Sequence, residues 1–359
     1  MAVLRFCKKN VVFCVAALAA TITCFFVPPD KDYFGYFDWK TLACLFLTLA
    51  VVCALRNIKF FTIIARRLVK ISGNLRSLFL LLIAITFIGS MLIANDMALI
   101  TFLPLGYFAL SVTHQEKYMA YLFILQNISA NLGGMLTPFG NPQNLYLYTY
   151  FNIPTGEFCS IMLPPFLLAI TLLVLCCLPI KAKPLEIQDS FKERLNKKRT
   201  VLYLVLFALS LLIVFRIIPY LVGLIIITSV LLWADREALL MVDYGLLGTF
   251  FFFFIFAGNL ARIEAINELL SNLLAKDTLL VSVASCQGIS NVPTAILLSR
   301  FTEDYRALLL GVNIGGTGTL IASLASLITF SEFRILYPGH RQWSTFQRIP
   351  RTERQQVAR

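Results

Sequence analysis

A succession of apolar runs, spread over almost the whole chain, limits what this sequence can fold into more than any other feature. Crossing the hydrocarbon core of a bilayer takes about 20 apolar residues per helix, and many runs approach that length. Hydrophobic residues make up 58% of the chain and charged residues only 14%, which is more apolar surface than a soluble domain can bury. The sequence therefore predicts an all-α polytopic membrane protein.

The apolar runs differ in length, and the differences are informative. We predict helices at about residues 10–27, 38–55, 77–94, 97–111, 118–133, 144–151, 159–180, 200–216, 217–234, 243–258, 278–289, 292–301, 304–316 and 319–332. Several of them, such as 144–151 and 292–301, are too short to cross a bilayer. Short apolar helices of this kind indicate re-entrant or interrupted segments.

Residues 1–27 resemble a secretory signal peptide as well as a first span. Arg5, Lys8 and Lys9 precede an apolar run, but no small-x-small cleavage pattern precedes the two prolines at 28 and 29. We therefore predict an N-terminal transmembrane helix within residues 1–37.

The basic residues cluster in four segments and predict the topology. These segments are the N-terminal tail, residues 56–76, residues 181–199 and the tail that begins near Arg334. The positive-inside rule places all four in the cytoplasm, and with them both termini of a multi-pass protein of the plasma membrane. The net charge of +12 thus indicates contact with anionic lipid headgroups, and no nucleic acid partner is expected.

This placement of the basic segments constrains the short helices. Residues 77–111 must form a hairpin that enters from the cytoplasm, and 118–151 one span broken near its middle. Residues 277–301 must form a hairpin that enters from outside, and 304–332 a second broken span. In the alternative, every apolar run crosses fully, and the basic loops then lie on opposite faces.

The resulting organisation consists of two repeats and their connections. An N-terminal helix (1–37) precedes repeat 1 (38–180), which consists of a span, an interfacial helix, a hairpin, a broken helix and a second span. A cytoplasmic linker (181–199) and two connecting spans (200–234) follow. Repeat 2 (235–332) consists of a span, an interfacial helix, a hairpin and a broken helix, and a basic cytoplasmic tail (333–359) ends the chain. Amphipathic segments at 58–70 and 260–274 should lie at the interface, the first inside and the second outside. The two repeats are therefore expected to be inverted.

An internal match supports the two repeats. Laying "NLGGMLTPFGNPQN" (131–144) over "NIGGTGTLIASLAS" (313–326) without a gap matches one asparagine, two glycines and one threonine. The pairs are Asn131 with Asn313, Gly133 with Gly315, Gly134 with Gly316, and Thr137 with Thr319, and upstream Asn95 pairs with Asn291. Inverted repeats with broken helices are typical of secondary transporters, whose sites lie near the midplane.

The ends of broken helices predict what such a site offers. Half-helices that begin near Asn95, Asn144, Asn291 and Ser323 present N–H groups and partial positive charge to an anion. Carbonyl groups around Gly140 and Ala322 can instead coordinate a cation. The structural alternative is that the Gly-Gly pairs serve only close helix packing; finding the pattern twice favours a site.

Three segments resemble the ion transporter superfamily, which includes arsenite permeases, citrate carriers, divalent anion symporters and NhaD-type antiporters. "FIGSMLIANDMALITFLPL" (87–105) resembles the arsenite permease hairpin, and "ANLGGMLTPFGNPQN" (130–144) and "GVNIGGTGTLIASLASLI" (311–328) resemble the two broken helices of the anion permeases. The resemblance covers about residues 38–332. It implies a dimerising scaffold domain and a transport domain of two hairpins and two broken helices that moves as an elevator.

The resemblance also implies the site residues, at the hairpin tips and at the two breaks. We predict substrate contacts from Asn95, Asp96, Thr137, Asn141, Pro142, Asn144, Asn291, Thr294, Thr319 and Ser323. We predict coupling-ion contacts from Ser90, Asn95, Asp96, Gly140, Ser290, Asn291 and Ala322. Na+ is the only metal expected, and no cofactor is expected. Relative to the dicarboxylate symporters, Ala94 lacks a hydroxyl, Asp96 replaces a threonine and Val292 has no polar atom, which argues against that activity.

Asp96 is the only acidic residue that we place deep in the membrane. An ionised carboxylate there costs roughly 2.5–3.5 kcal/mol or more, and such residues are usually functional. The side chain can bind a cation, exchange a proton or cap the second hairpin helix, and these roles are compatible.

These observations lead to two hypotheses for function. The first is a permease for a small anion or oxyanion, such as citrate or arsenite, coupled to H+ or Na+ and working as a homodimer. The alternative is an NhaD-type Na+/H+ antiporter in which Asp96 binds the transported cation. His114 and His340 lie in predicted cytoplasmic segments and no HExxH or GxSxG pattern occurs, so an enzyme is not expected.

Overall fold

The computed structural model describes residues 11–185 and 195–336. The regular secondary structure within them is helical, with one isolated bridge between Asn74 and Pro184, which confirms the predicted all-α class. The predicted basic segments at residues 1–10, most of the linker (186–194) and the tail from residue 337 lie outside the described residues.

The first part of the chain forms three helices. They are α1 (Val11–Phe26), α2 (Trp39–Asn57) and α3 (Phe60–Val69). Asp38 starts α2, because its carboxylate accepts the N–H of Thr41 at 3.0 Å and so satisfies one of the free donors of the first turn. Lys59 separates α2 from α3 with a left-handed φ of 54°. The chain thereby changes direction between the span and the amphipathic helix.

Two pairs of helices follow. They are α4 (Leu75–Ile93) with α5 (Asn95–Val112), and α6 (Met119–Gly133) with α7 (Pro142–Tyr150). We name α4, Ala94 and α5 together hairpin 1, since only Ala94 separates two helices that pack against each other. Helix α6 packs against both arms of hairpin 1.

The middle of the chain consists of a long helix and a second group of helices. These are α8 (Thr155–Cys177), α9 (Lys197–Val214), α10 (Tyr220–Ala234), α11 (Arg236–Leu240) and α12 (Tyr244–Arg262). Helices α9 and α10 pack on α2, and α12 packs on α1. Asp235 connects this group, because its carboxylate accepts from Asn57 Nδ2 at 3.1 Å and from the Tyr203 hydroxyl at 3.1 Å.

The last helices are arranged like the earlier pairs. They are α13 (Glu264–Ile289), α14 (Asn291–Leu298), α15 (Tyr305–Gly315) and α16 (Leu324–Leu336). Helix α13 is kinked at Asp277, whose φ of −163° and ψ of 93° are not helical and whose carboxylate caps the N–H of Leu280. We name residues 277–298, with Ser290 at the turn, hairpin 2.

The halves of the two broken helices reach across to the opposite hairpin. Helix α7 packs against α14 of hairpin 2, whereas α16 packs against α5 of hairpin 1 and against α6. The breaks at 134–141 and 316–323 are thus brought to the centre of this group of helices, where the candidate site is formed.

Six of the described helices are long and apolar enough to cross a bilayer. They are α2, α4, α5, α8, α12 and α13. The shorter apolar helices α1 and α10 add to this set. Large apolar side chains are exposed on several of these helices, such as Leu168 on α8 and Ile225 and Trp233 on α10. The chain is therefore a multi-pass membrane protein.

Helix limits agree with the sequence within a few residues in most places, with two instructive differences. The helix predicted at 97–111 begins at Asn95, so Asn95 and Asp96 lie in its first turn and not in a loop. The helix predicted at 319–332 begins only at Leu324, because the N–H of Thr319 donates to Gln287 Oε1 at 2.9 Å and the chain turns there.

Candidate functional site

The tips of the two hairpins have nearly the same backbone conformation. Ala94 has φ 66° and ψ 151°, and Ser290 has φ 75° and ψ 159°. Next to each tip an asparagine opens the returning helix: Asn95 Oδ1 accepts the N–H of Asp96 at 3.0 Å, and Asn291 Oδ1 accepts the N–H of Val292 at 2.9 Å. Both asparagines are buried, and the side-chain oxygen of each accepts an N–H of the first turn of the returning helix.

The first break is a tight loop between α6 and α7. A 3-10 turn (Gly134–Leu136) follows α6, and Asn141 is extended before Pro142 starts α7. Gly134 and Gly140 touch, since a Cβ on either would overlap the main chain of the other. Asn144 closes the loop from within α7, because its Nδ2 donates to the carbonyls of Gly134 at 3.4 Å and Met135 at 3.2 Å.

The second break, between α15 and α16, is held by hairpin 2. Gln287 Nε2 donates to the carbonyl of Gly315 at 2.9 Å, at the end of α15. The carbonyl of Ala322 accepts the N–H of Asn291 at 2.9 Å and the hydroxyl of Ser290 at 3.3 Å. The tip of hairpin 2 is thus bonded to the main chain just before α16.

The two broken helices meet at Asn313 of α15. Its Nδ2 donates to Asn144 Oδ1 at 2.6 Å, and its Oδ1 accepts from Asn141 Nδ2 at 3.3 Å and Gln143 Nε2 at 3.5 Å. All four side chains are buried. We call this group of four side chains the asparagine crossing.

A second chain of polar contacts joins hairpin 1 to the other broken helix. Asn95 Nδ2 donates to Asn131 Oδ1 at 3.0 Å, and Asn131 Nδ2 donates in turn to the carbonyl of Asn127 at 3.1 Å. Asn127 Nδ2 donates to Ser326 Oγ of α16 at 3.1 Å, and Ser326 bonds to Ser323. Hairpin 1 is therefore linked through Asn131 and Asn127 to Ser326 of the second broken helix.

Asp96 differs from the rest of the site because it is ionisable. The N–H of Asp96 is capped by Asn95, while its Oδ1 is buried and has no hydrogen-bond partner within the described residues. No group of three or more His, Cys, Asp or Glu converges anywhere in residues 11–185 and 195–336. The groups here that can ligate a cation are therefore Asp96 and neutral oxygens.

The predicted site residues fall into two sets. Those at or next to the asparagine crossing and the hairpin tips are Ser90, Asn95, Asp96, Thr137, Gly140, Asn141, Pro142, Asn144, Ser290, Asn291, Ala322 and Ser323. Thr294 is buried on α14, and its hydroxyl has no partner in the described part of the chain. Thr319 is exposed, and its N–H bonds to Gln287. Several of these groups already have partners: Thr137 donates to the Met91 carbonyl at 2.9 Å.

The predicted set of site residues left out five polar residues that complete the contacts, although the repeat had already paired Asn131 with Asn313. They are Asn127, Asn131, Gln143, Asn313 and Ser326. A signal was available for some of them, because Asn127 and Asn131 are four residues apart on α6 and so share one face. Gln143 lies inside the quoted motif but looked like one more residue of a short helix.

Comparison with known proteins gives matches over most of the chain. The citrate transporter family matches residues 3–304. An uncharacterised transporter of Methanocaldococcus jannaschii is 36% identical over 301 residues, which are 83% of this chain and 82% of that protein. The inner membrane protein YbiR of Escherichia coli is 30% identical over 317 residues, 85% and 82% of the two chains. A silicon efflux transporter of Oryza sativa subsp. japonica is 31% identical over 163 residues, 45% of this chain and 33% of that protein.

Proposed function

The chain belongs to the citrate transporter family, and we propose that it is a secondary active transporter of a small anion or oxyanion, coupled to H+ or Na+. Its relatives from Methanocaldococcus jannaschii and rice are named as transporters, and it is a membrane transporter and not an enzyme. The name of the rice relative, a silicon efflux transporter, adds support for a transport function.

The asparagine crossing carries this proposal. Two broken helices expose main-chain polar groups within a group of apolar helices, and such backbone is tolerated at membrane depth only against protein or a water-filled cavity. Here Asn141 and Asn144 of one break bond to Asn313 of the other at 3.3 and 2.6 Å. A solute held at this point would contact both halves of the protein, as in transporters that alternate access around a central site.

The equivalent contacts of the two hairpins support an inverted repeat. A Cβ on Gly133 would meet Ser90 of hairpin 1, and one on Gly315 would meet Cys286 of hairpin 2. Ser90 and Cys286 each lie four residues before their hairpin tip. We propose that the predicted repeats 38–180 and 235–332 are related by a two-fold axis in the membrane plane.

We further propose how the parts divide and move. The hairpins and broken helices would form a transport domain that moves as an elevator against the remaining helices, which would form the scaffold of a homodimer in the plasma membrane. Both termini and the linker 181–199 would be cytoplasmic, because the basic segments lie there. The lipid bilayer would cover exposed apolar residues such as Leu168 and Ile225.

The test is gradient-driven uptake by the purified full-length protein in proteoliposomes. Labelled citrate, arsenite, phosphate and sulfate are offered under an imposed pH or Na+ gradient. We expect one solute to accumulate with a gradient, and Asn313→Ala to remove the accumulation. The matched control is Asn259→Ala, a buried amide on α12 that bonds to Thr23 at 3.1 Å, away from the breaks; it should retain uptake. Uptake that ignores both gradients would contradict secondary transport.

One observation favours the alternative, a Na+/H+ antiporter. The buried Oδ1 of Asp96 has no partner within the described residues, which suits direct binding of a cation. In that case Na+ should drive proton movement in vesicles that contain no transported anion, and Asp96→Asn should abolish it. Anion-dependent uptake with no such proton movement would exclude the antiporter.

A further inference from the structure

Aromatic side chains meet where the proposed scaffold touches the proposed transport domain. Helix α2 packs on α7, and α12 packs on α14. The ring centroid of Tyr146 in α7 lies 6.3 and 5.6 Å from those of Phe250 and Phe254 in α12, and that of Phe139 lies 5.9 Å from that of Phe215. Apolar contact is not directional. It lets two groups of helices slide past each other, but it does not fix the position at which they stop.

Two arginines donate hydrogen bonds across this surface, in opposite directions. Arg216, in the turn between α9 and α10, donates from Nη2 to the carbonyl of Tyr148 in α7. Arg300, directly after hairpin 2, donates from Nη2 to the carbonyl of Tyr36 in the turn between α1 and α2. The scaffold thus supplies one donor and the transport domain supplies the other.

Both guanidinium groups lie at the last turn of α7. Arg216 Cζ is 4.2 Å from the centroid of the Tyr148 ring, and Arg300 Cζ is 5.3 Å from the centroid of the Tyr150 ring. A cation near a helix C-terminus interacts favourably with the free carbonyls there, and the contact with an aromatic face adds to this attraction. Because the asparagine crossing lies at the other end of the same short helix, the crossing cannot move along the scaffold unless these contacts break.

Arg216 occupies a backbone position where glycine is usual. Its φ is 64°, its N–H bonds to the carbonyl of Ile213 and the next N–H bonds to that of Leu212, both at 2.9 Å. Helices often end in this way, with glycine as the left-handed residue. Any other residue is strained there, but a glycine has no side chain that reaches Tyr148. The contact therefore accounts for an arginine at this position.

Neither guanidinium is neutralised within the described residues. No carboxylate there forms an ion pair with either arginine, and the Nε of each is buried and has no hydrogen-bond partner among residues 11–185 and 195–336. A partly buried charge without a counter-ion is unfavourable, so packing alone does not explain the two arginines. A single bond to a carbonyl is also weaker than a bidentate bond to a carboxylate, which suits a contact that breaks and forms again.

We infer that Arg216 and Arg300 latch the transport domain to the scaffold in one end position of the transport movement. The inference rests on the proposed function, because a latch requires two domains that move relative to each other. Each bond is present in the described position and is lost when the domain moves. The two arginines are therefore positioning residues that set the equilibrium between this position and the other one.

The test measures from which side of the membrane the second break is reached. Thr319 in that break is exposed, so Thr319→Cys of the full-length protein is labelled with a positively charged methanethiosulfonate in right-side-out and in inside-out membrane vesicles. Labelling of the same protein without this substitution is subtracted. Arg216→Gln combined with Arg300→Gln should shift the ratio of labelling rates roughly tenfold toward the face that is protected in the parent protein, because two bonds with charged donors are lost from one position only.

Two further variants separate the latch from a general effect on packing. Arg216→Lys keeps a charged donor for the single carbonyl that it has to reach, so it should keep the parent ratio. Arg236→Gln is the matched control: Arg236 Nε also donates to a main-chain carbonyl, that of Leu232 at 2.9 Å, but both residues lie within the scaffold, and the ratio should not change. If the double variant does not fold, each single arginine-to-glutamine variant replaces it, with an expected shift of roughly threefold.

The outcomes distinguish the latch from the function on which it rests. A ratio that the glutamine variants leave unchanged, or labelling that rises equally from both faces, would overturn the latch, while gradient-driven uptake in proteoliposomes would still support the proposed function. If the parent protein is labelled equally from both faces and accumulates no solute of the panel, the two positions and the proposed function are both wrong.

Discussion

Hairpin 1 and hairpin 2 have the same backbone at their tips but bond to the breaks in different ways. Asn95 uses its side chain, which donates to Asn131 at 3.0 Å, and the next residue is the ionisable Asp96. Asn291 uses its main-chain N–H, which donates to the carbonyl of Ala322 at 2.9 Å, and the next residue is Val292. The two tips therefore share one backbone geometry, but an ionisable side chain follows the tip asparagine in hairpin 1 only.

The largest expected difference between the hairpins concerns coupling. Asp96→Asn should abolish the dependence of uptake on a proton or Na+ gradient, because the only carboxylate at a hairpin tip is removed while the volume is kept. Val292→Asn, at the equivalent position of hairpin 2, should leave coupling within about twofold. The measurement is initial uptake with and without each gradient. Equal effects of both variants would show that the asymmetry of the tips has no role in coupling.

A second difference concerns the close contacts of each hairpin with its broken helix. A Cβ on Gly133 would overlap the main-chain oxygen of Phe87, whereas one on Gly315 would lie 2.9 Å from the Cβ of Cys286. The overlap is deeper at Gly133, where the Cβ would lie 2.2 Å from the Phe87 oxygen, than at Gly315, where the nearest backbone atom is the Cα of Val283 at 3.1 Å. Gly133→Ala should therefore lower the free energy of unfolding by about 2–3 kcal/mol and Gly315→Ala by about 1 kcal/mol.

Thermal or denaturant unfolding of the two glycine variants in the same detergent provides the measurement. If Gly315→Ala proves the more destabilising variant, hairpin 2 is packed more tightly than these contacts indicate.

The smallest difference concerns the tip asparagines. Asn95→Ala leaves Asn131 Oδ1 without its donor, which should cost about 2 kcal/mol of unfolding free energy. Asn291→Ala removes the local cap but keeps the main-chain bond to Ala322, and should cost about 0.5–1 kcal/mol. Unfolding midpoints of both variants, measured side by side, test this order. A larger loss of unfolding free energy for Asn291→Ala than for Asn95→Ala would mean that the Asn291 side chain makes a further stabilising contact.

Much of the fold can be predicted from the spacing of apolar residues and from the glycines at which helices end. Apolar runs marked the helices, and the Gly-Gly pairs marked the ends of α6 and α15. The start of α16 was placed too early because Leu320 and Ile321 continue the apolar run. What stops a helix there is the contact between Thr319 and Gln287, residues 32 apart in the chain, and local patterning contains no information about such a contact.

The sequence predicted the position of the candidate site better than it predicted the hydrogen bonds within the site. The asparagines at the tips and breaks were named from motifs, but which amide atoms pair depends on residues far apart, as with Asn141 and Asn313 at a separation of 172. The caps on the half-helices were missed for a simpler reason. A helix N-terminus in a sequence looks like free N–H groups until the structure places Ser323 over the N–H of Ser326.

The conformation of Ala94 and Ser290 has a consequence for entropy. Both residues have φ and ψ close to a region that only glycine enters freely, and holding another residue there costs of order 1–3 kcal/mol. A glycine would avoid that cost but would let each tip sample many more conformations. Alanine and serine at the two turns are strained, but they restrict each hairpin tip to few backbone conformations. The side chain of the adjacent asparagine therefore keeps one orientation.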